Sequence, residues 1–108
     1  MEITAIEEIP GKTVPRHYDL LGRTVFDRLG TKVTFTHMEE NGRCDPHIHE
    51  KAAQLFIVLK GAILFKDGES EIRVQQGHSV LFDIGEVHSI RNAAGPGTEY
   101  LTVTVTEP

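Results

Sequence analysis

The chain is nearly free of cysteine. Cys44 stands alone among 108 residues, so no internal disulfide can form, and a single thiol fits a reducing cytoplasm. Clusters of basic residues are also missing. Eleven Lys and Arg stand against sixteen Asp and Glu, a formal net charge of −5. The basic residues are scattered and not interleaved with aromatics, which argues against nucleic acid and anionic membrane surfaces as partners. No long apolar run is present: the longest, Leu55 to Leu59, falls far short of the ~20 residues that span a bilayer. The opening stretch, MEITAIEEIPGK, is acidic and has no charged-then-apolar leader, so no signal peptide is expected. Repeats, low-complexity tracts and linkers are absent. The length predicts a single domain over residues 1–108, with a small core that can still fold alone.

What the chain does have is histidine, six in all with no tag-like run, set in a pattern of strands and turns. TKVTFTHM (Thr31 to Met38) alternates, with Val33, Phe35 and His37 on one face and Thr34 and Thr36 on the other. ENGR (Glu40 to Arg43) reads as a turn. QLFIVLKG is apolar on both faces, as in a strand covered on both sides. AILFKDGESEIRV reads as a hairpin about Asp67-Gly68. SVLF, VHSIRN and EYLTVTVT follow as further strands, separated by turns at QQG, DIGE and AAGPGT. In the first thirty residues, short strands are expected near AIEEI and GRTVFDRL. Turn signals about every ten residues mark an all-β sandwich or barrel. On the last strand the apolar set Leu101, Val103 and Val105 is the better core, which would turn Tyr100, Thr102 and Thr104 outward. EKAAQL holds good helix formers, but Ile57, Val58 and Gly61 favour a strand.

The chemistry concentrates at PHIHEKAAQ (Pro46 to Gln54). On a strand, His47 and His49 project from one face with Cα atoms about 6–7 Å apart. Two imidazoles so placed can tilt onto one ion about 2.1 Å from each nitrogen. Gln54 has the opposite parity and joins them only if the chain turns at Glu50 to Ala53. His88, on a later strand, would complete a set of three histidines and one amide oxygen. Each part also has an ordinary explanation: a His-x-His pair on a solvated strand face, a lone hydrogen-bonded His88. His17, His37 and His78 fall outside the pattern. His37 is expected to pack in the interior, and His78 to face solvent. Phe35, His37, Phe56 and Phe82 are candidate walls, each with an ordinary packing explanation that weighs more, and Glu50 and Lys51 are candidate guards of the mouth that read first as a solvated charge pair. Cys44 has only Arg43 beside it to lower its pKa and reads as a bystander.

The two segments GRCDPHIHEKAAQLFIVLKG (42–61) and GHSVLFDIGEVHSIRN (77–92) together resemble the paired motifs of the cupins, G-x5-H-x-H-x(3,4)-E-x6-G and G-x5-P-x-G-x2-H-x3-N. The first matches at Gly42, His47, His49 and Gly61, with one residue fewer after Gly42 and with Gln54 at the Glu position. The second matches at Gly77, Gly85, His88 and Asn92, with Asp83 in place of Pro. With the hairpin between them the motifs cover about half the chain. The resemblance implies a double-stranded β-helix, the cupin jelly-roll barrel. It further implies one divalent metal ion (Zn, Ni, Fe, Mn or Co) held by His47, His49, Gln54 and His88, and a homodimer.

Gln54 alters the charge of such a site. A carboxylate would cancel one unit of the ion's charge, whereas an amide leaves the site formally at +2, lowering affinity and keeping the ion a stronger Lewis acid. Its open positions would favour a small anionic oxygen ligand. Gln54 can equally be read as the mark of a decayed site. Three histidines with a glutamine also occur in the small cupins of pectin and alginate degradation, which convert unsaturated uronates to linear keto forms. Their C-terminal strand carries Asp, Phe and Arg functional positions. Here that strand is TEYLTVTVTEP, with no Arg or Asp, so the activity is not carried over. Three readings remain open. One is redox-neutral isomerase or lyase chemistry on a sugar acid or keto-enol compound. The second is an iron-dependent dioxygenase, and the third a non-catalytic cupin that binds or senses a metabolite. No catalytic residue is assigned. If Gln54, Phe56 and Val58 face inward, Leu55, Ile57 and Leu59 form an outward stripe that either the irregular N-terminal segment or a second subunit would cover, and a symmetric dimer is expected.

Overall fold

A computed structural model describes every residue from Met1 to Pro108. After a short 3-10 turn at Ile6–Glu8 come eight strands: β1 (His17–Arg28), β2 (Thr31–His47), β3 (Ala52–Lys60), β4 (Ala62–Asp67), β5 (Ser70–Gln75), β6 (Ser79–Phe82), β7 (His88–Asn92) and β8 (Thr98–Thr106). They form one sheet in the order β5-β4-β7-β2-β8-β3-β6, with β1 added along β2. All pairings are antiparallel. This is the expected all-β double-stranded β-helix. The strand expected near AIEEI is instead the 3-10 turn, and the one near GRTVFDRL is the second half of a longer β1.

β2 rolls the sheet into a barrel. Its first part, Thr31 to Met38, pairs with β8, and its last part, Arg43 to His47, pairs with β7. The expected turn at ENGR does not end the strand; it is the bend between these two partners. β1 follows the bend by a register shift between Tyr18 and Leu20, with Asp19 at a φ of 52°. Gly42 sits inside the bend. A Cβ there would come within 2.9 Å of both the Asp19 carbonyl and the Met38 Cβ, so only glycine lets the two strands approach this closely.

Strand register sets which residues face inward. Met38, Thr36, Val58, Phe56, Tyr100 and Thr98 are buried, and each strand alternates regularly from them. Rows of inward-facing residues then cross β3, β8, β2 and β1: Val58–Tyr100–Thr36–Gly22 near the floor, Phe56–Thr102–Thr34–Thr24 above it, and Gln54–Thr104–Lys32–Asp27 at the mouth. Tyr100 is only 3% exposed and belongs to the core. The expectation that Leu101, Val103 and Val105 face inward is therefore wrong, and so is the interior place given to Val33, Phe35 and His37. These residues form the outer rows Phe35–Leu101–Ile57 and Val33–Val103–Leu55. The floor of the barrel holds aromatic rings in edge contact: Phe56 meets Phe65 at 5.3 Å and Phe82 at 6.0 Å between centroids.

Candidate metal centre

The two halves of the barrel deliver the four candidate ligands from different directions. His47 ends β2 and lies directly opposite His88, the first residue of β7. β2 stops there, so His49 falls in the connection to β3 rather than on the same strand. The chain turns at residues 48–51, and Gln54 is the second inward-facing position of β3, after Ala52. The ring centroids lie 4.2 Å apart for His47 and His88, 5.0 Å for His47 and His49, and 5.7 Å for His49 and His88. One nitrogen from each imidazole lies within 4.8 Å of the others, a grouping that could hold a metal ion.

Backbone carbonyls fix the tautomers. A carbonyl oxygen can only accept, so His47 Nδ1–H donates to the Asp45 carbonyl at 3.0 Å and His88 Nδ1–H to the Glu86 carbonyl at 3.2 Å. Each ring then presents an Nε2 lone pair, the arrangement that second-sphere acceptors impose on metal-binding histidines. His49 Nε2 is buried with no partner at all. Burial pushes the His88 pKa from its ordinary value down to about 4, assisted by the nearby His47 and His49 and opposed by the Glu86 hydrogen bond. His49 is lowered too, by burial first and then by His47 and His17. Both rings are therefore neutral at pH 7 and free to donate electron pairs. Phe82 stacks on His88 at 4.3 Å and an interplanar angle of 16°, holding the ring in place.

Gln54 supplies the sharpest test of whether a cation fits. Its Oε1 lies 3.0 Å from His88 Nε2, and its Nε2 donates to Thr104 Oγ1 at 3.0 Å. With the His88 proton committed to Glu86, the 3.0 Å contact sets one lone pair against another. Two donors each about 2.1 Å from one ion, and at right angles to it, stand about 3.0 Å apart. The donor set, the orphaned His49 nitrogen and this facing pair of acceptors all fit a divalent cation.

The other residues singled out in the sequence separate clearly. Phe56 and Phe82 are walls, as expected, whereas Phe35 and His37 lie on the outer surface. His37 is bracketed there by Glu99 at 3.0 Å and Glu39 at 3.4 Å. His78 is exposed. Glu50 and Lys51 line an open cleft of about 510 Å3 together with Ile48, His49, Ala52 and Thr106, beside the candidate site. Cys44 is not remote: its Sγ lies 3.3 Å from His47 Nδ1. Burial, then the Asp45 charge, pushes its thiol up to about 11, so it is neither a thiolate ligand nor a nucleophile at neutral pH. Two contributors escaped the sequence reading. His17 pairs with Cys44 in register and brings its ring to 6.0 Å from that of His47. Thr104 holds the Gln54 amide. Only the β1–β2 and β3–β8 registers reveal them, and no spacing along the chain encodes those.

The family model of the cupin domain matches residues 34–104. The chain belongs to the cupin family. It is 30% identical over 59 residues to an oxalate-binding protein of Thermotoga maritima, a match covering 55% of this chain and 49% of that protein. The cupin thus aligns with about half the length of that curated relative. Among solved structures it resembles a predicted oxalate decarboxylase from Thermotoga maritima, with a TM-score of 0.87 and 18% identity over 97% of this chain and 99% of that one. It also resembles KdgF from a Halomonas species, with a TM-score of 0.86 and 14% identity over 100% of this chain and 96% of that one. At these identities the structural likenesses speak for the fold alone.

Proposed function

We propose that this cupin holds one divalent metal ion through His47, His49, His88 and Gln54 and uses it to bind a small anionic, oxygen-rich metabolite. The observation that carries this is the convergence of three imidazoles and an amide oxygen at the mouth of the barrel. The wall beside them supports the ligand class. Thr102, Thr34 and Thr24 form one hydroxyl row and Thr104 begins the next, which continues to Lys32. Lys32 makes no ion pair and stands as a free cation at the rim. Such a wall suits a hydroxylated acid: hydroxyls for its alcohol groups and an ammonium for a second charge.

The chemistry proposed is redox-neutral isomerisation or lyase action on a sugar acid or keto-enol compound. A bound divalent ion would supply Lewis acidity toward a carbonyl or carboxylate oxygen. Thr102 and Thr34 orient the ligand through hydroxyl contacts, and Phe56 and Phe82 close the floor against water. Proton transfer falls to the rim. His17 Nδ1 donates to the Pro15 carbonyl at 3.0 Å, and its ring lies 6.0 Å from that of His47. The buried wall offers no acid or base of its own, because burial holds the Tyr100 hydroxyl far above its ordinary pKa and Cys44 as a thiol. That feature favours a second reading, a cupin that binds its metabolite without converting it. The oxalate-binding description of the Thermotoga relative is in keeping with it.

The experiment is anaerobic incubation of metal-loaded protein with a panel of sugar acids and 2-keto acids, followed by NMR. Conversion without oxygen supports the isomerase or lyase reading. Thermal stabilisation by a ligand recovered unchanged supports the binding protein. Conversion only on admitting oxygen would replace both with a dioxygenase. The outer apolar rows support a homodimer, and the lone thiol a cytoplasmic location.

A further inference from the structure

Resting on the metal-site reading above, one contact assigns a role to a residue outside the ligand set. The Gln54 amide has two ends that demand different partners. Its oxygen faces a lone pair of His88 at 3.0 Å, and its nitrogen reaches Thr104 Oγ1 at 3.0 Å. With an ion present, the oxygen must stay where it is and the half-buried N–H needs an acceptor. Without one, the oxygen opposes the His88 lone pair, and turning the amide over removes the conflict. The N–H then donates to His88 Nε2, and the oxygen needs a donor. Thr104 meets both needs, since a hydroxyl accepts in one orientation and donates in the other. It is placed to do so by register: Thr104 lies directly opposite Gln54 across β8 and β3.

We propose that Thr104 is the positioning residue of the metal centre. Its hydroxyl accepts the Gln54 N–H and aims the amide oxygen at the ion. Thr104 touches neither ion nor substrate in this role and acts entirely through Gln54. A valine at this position keeps the β-branched shape of the strand residue but leaves the half-buried N–H without an acceptor.

The test is a double-mutant cycle read by Zn2+ affinity, measured by chelator competition, with Ni2+ and Mn2+ as further probes. Thr104→Val is expected to weaken Zn2+ binding by about 10- to 100-fold, the usual cost of losing such a supporting contact. Thr104→Ser should restore affinity to within about 3-fold of wild type, since it keeps the donor and acceptor. In a Gln54→Ala background, Thr104→Val should have no further effect, because the amide through which it acts is gone. Melting of the metal-free variants reports whether they fold, and Thr104→Ala serves in place of the valine variant if that one does not. The proposal is overturned if Thr104→Val binds Zn2+ as wild type does, if serine fails to rescue, or if the loss is equally large without Gln54. A wild-type protein that binds none of the three metals would sink the metal centre itself, a result distinguishable from failure of Thr104 alone.

Discussion

His88 carries a pH dependence whose sign follows from its burial. Unfolded, the imidazole titrates near 6.5; folded, it is pushed down to about 4. Well above pH 7 it is neutral in both states and contributes no slope. As pH falls through 6.5 the unfolded chain takes up a proton that the folded protein refuses until about pH 4, so stability is lost across that window. The loss attributable to this group is of order 3 kcal/mol at most. Urea unfolding of chelator-treated protein from pH 7.5 to 4 should therefore decline more steeply for wild type than for His88→Gln, with the two converging in slope above pH 7. At Gln54 the relevant quantity is charge. Gln54→Glu adds a formal attraction to the ion and should tighten Zn2+ binding by about 10-fold or more, while weakening any anionic ligand that follows. Chelator competition measures the first effect and ligand titration of the loaded protein the second.

The elements show why one part of this molecule could be read from its sequence and another could not. That His47, His49, Gln54 and His88 come together is legible because a strand end, a short turn and a facing strand impose fixed spacings, and two such spacings occur in order. The facing of β2 and β8 was not legible. Hydropathy places the apolar residues inward, yet Val33, Phe35, Leu101 and Val103 lie on the outer surface while Thr34, Thr36, Thr102 and Thr104 line the wall. A barrel whose inner wall carries hydroxyls and whose outer rows are apolar inverts the usual rule, and alternation alone cannot tell which face is which. Tyr100 was misassigned for the same reason. ENGR looked like a turn because Gly and Asn favour one, but a long strand changing partners needs the same freedom of backbone. Gly42→Ala tests that bend directly. With neighbours 2.9 Å from the new methyl, it should destabilise the protein by about 1–3 kcal/mol, seen as a lower melting midpoint.

At the scale of the whole molecule, the barrel has a polar mouth and an apolar flank. The rows Phe35–Leu101–Ile57 and Val33–Val103–Leu55 run across three strands, a continuous surface that a second copy related by two-fold symmetry would cover. Light scattering after size exclusion should then give about 24 kDa, twice the chain's 12.0 kDa. Leu101→Glu should reduce this to the monomer while leaving Zn2+ affinity unchanged, because Leu101 faces away from the ligands.

The whole account turns on one cation at the point where the two halves of the barrel meet. The direct measurement is a crystal structure of protein purified without chelators or immobilised metal, with anomalous data collected across the edge of whichever element is found by elemental analysis. A single anomalous peak is expected about 2.1 Å from Nε2 of His47, His49 and His88 and from Oε1 of Gln54. A map with no peak there after Zn2+, Ni2+ and Mn2+ have each been offered, or with Gln54 turned to donate its N–H to His88 throughout, would contradict it.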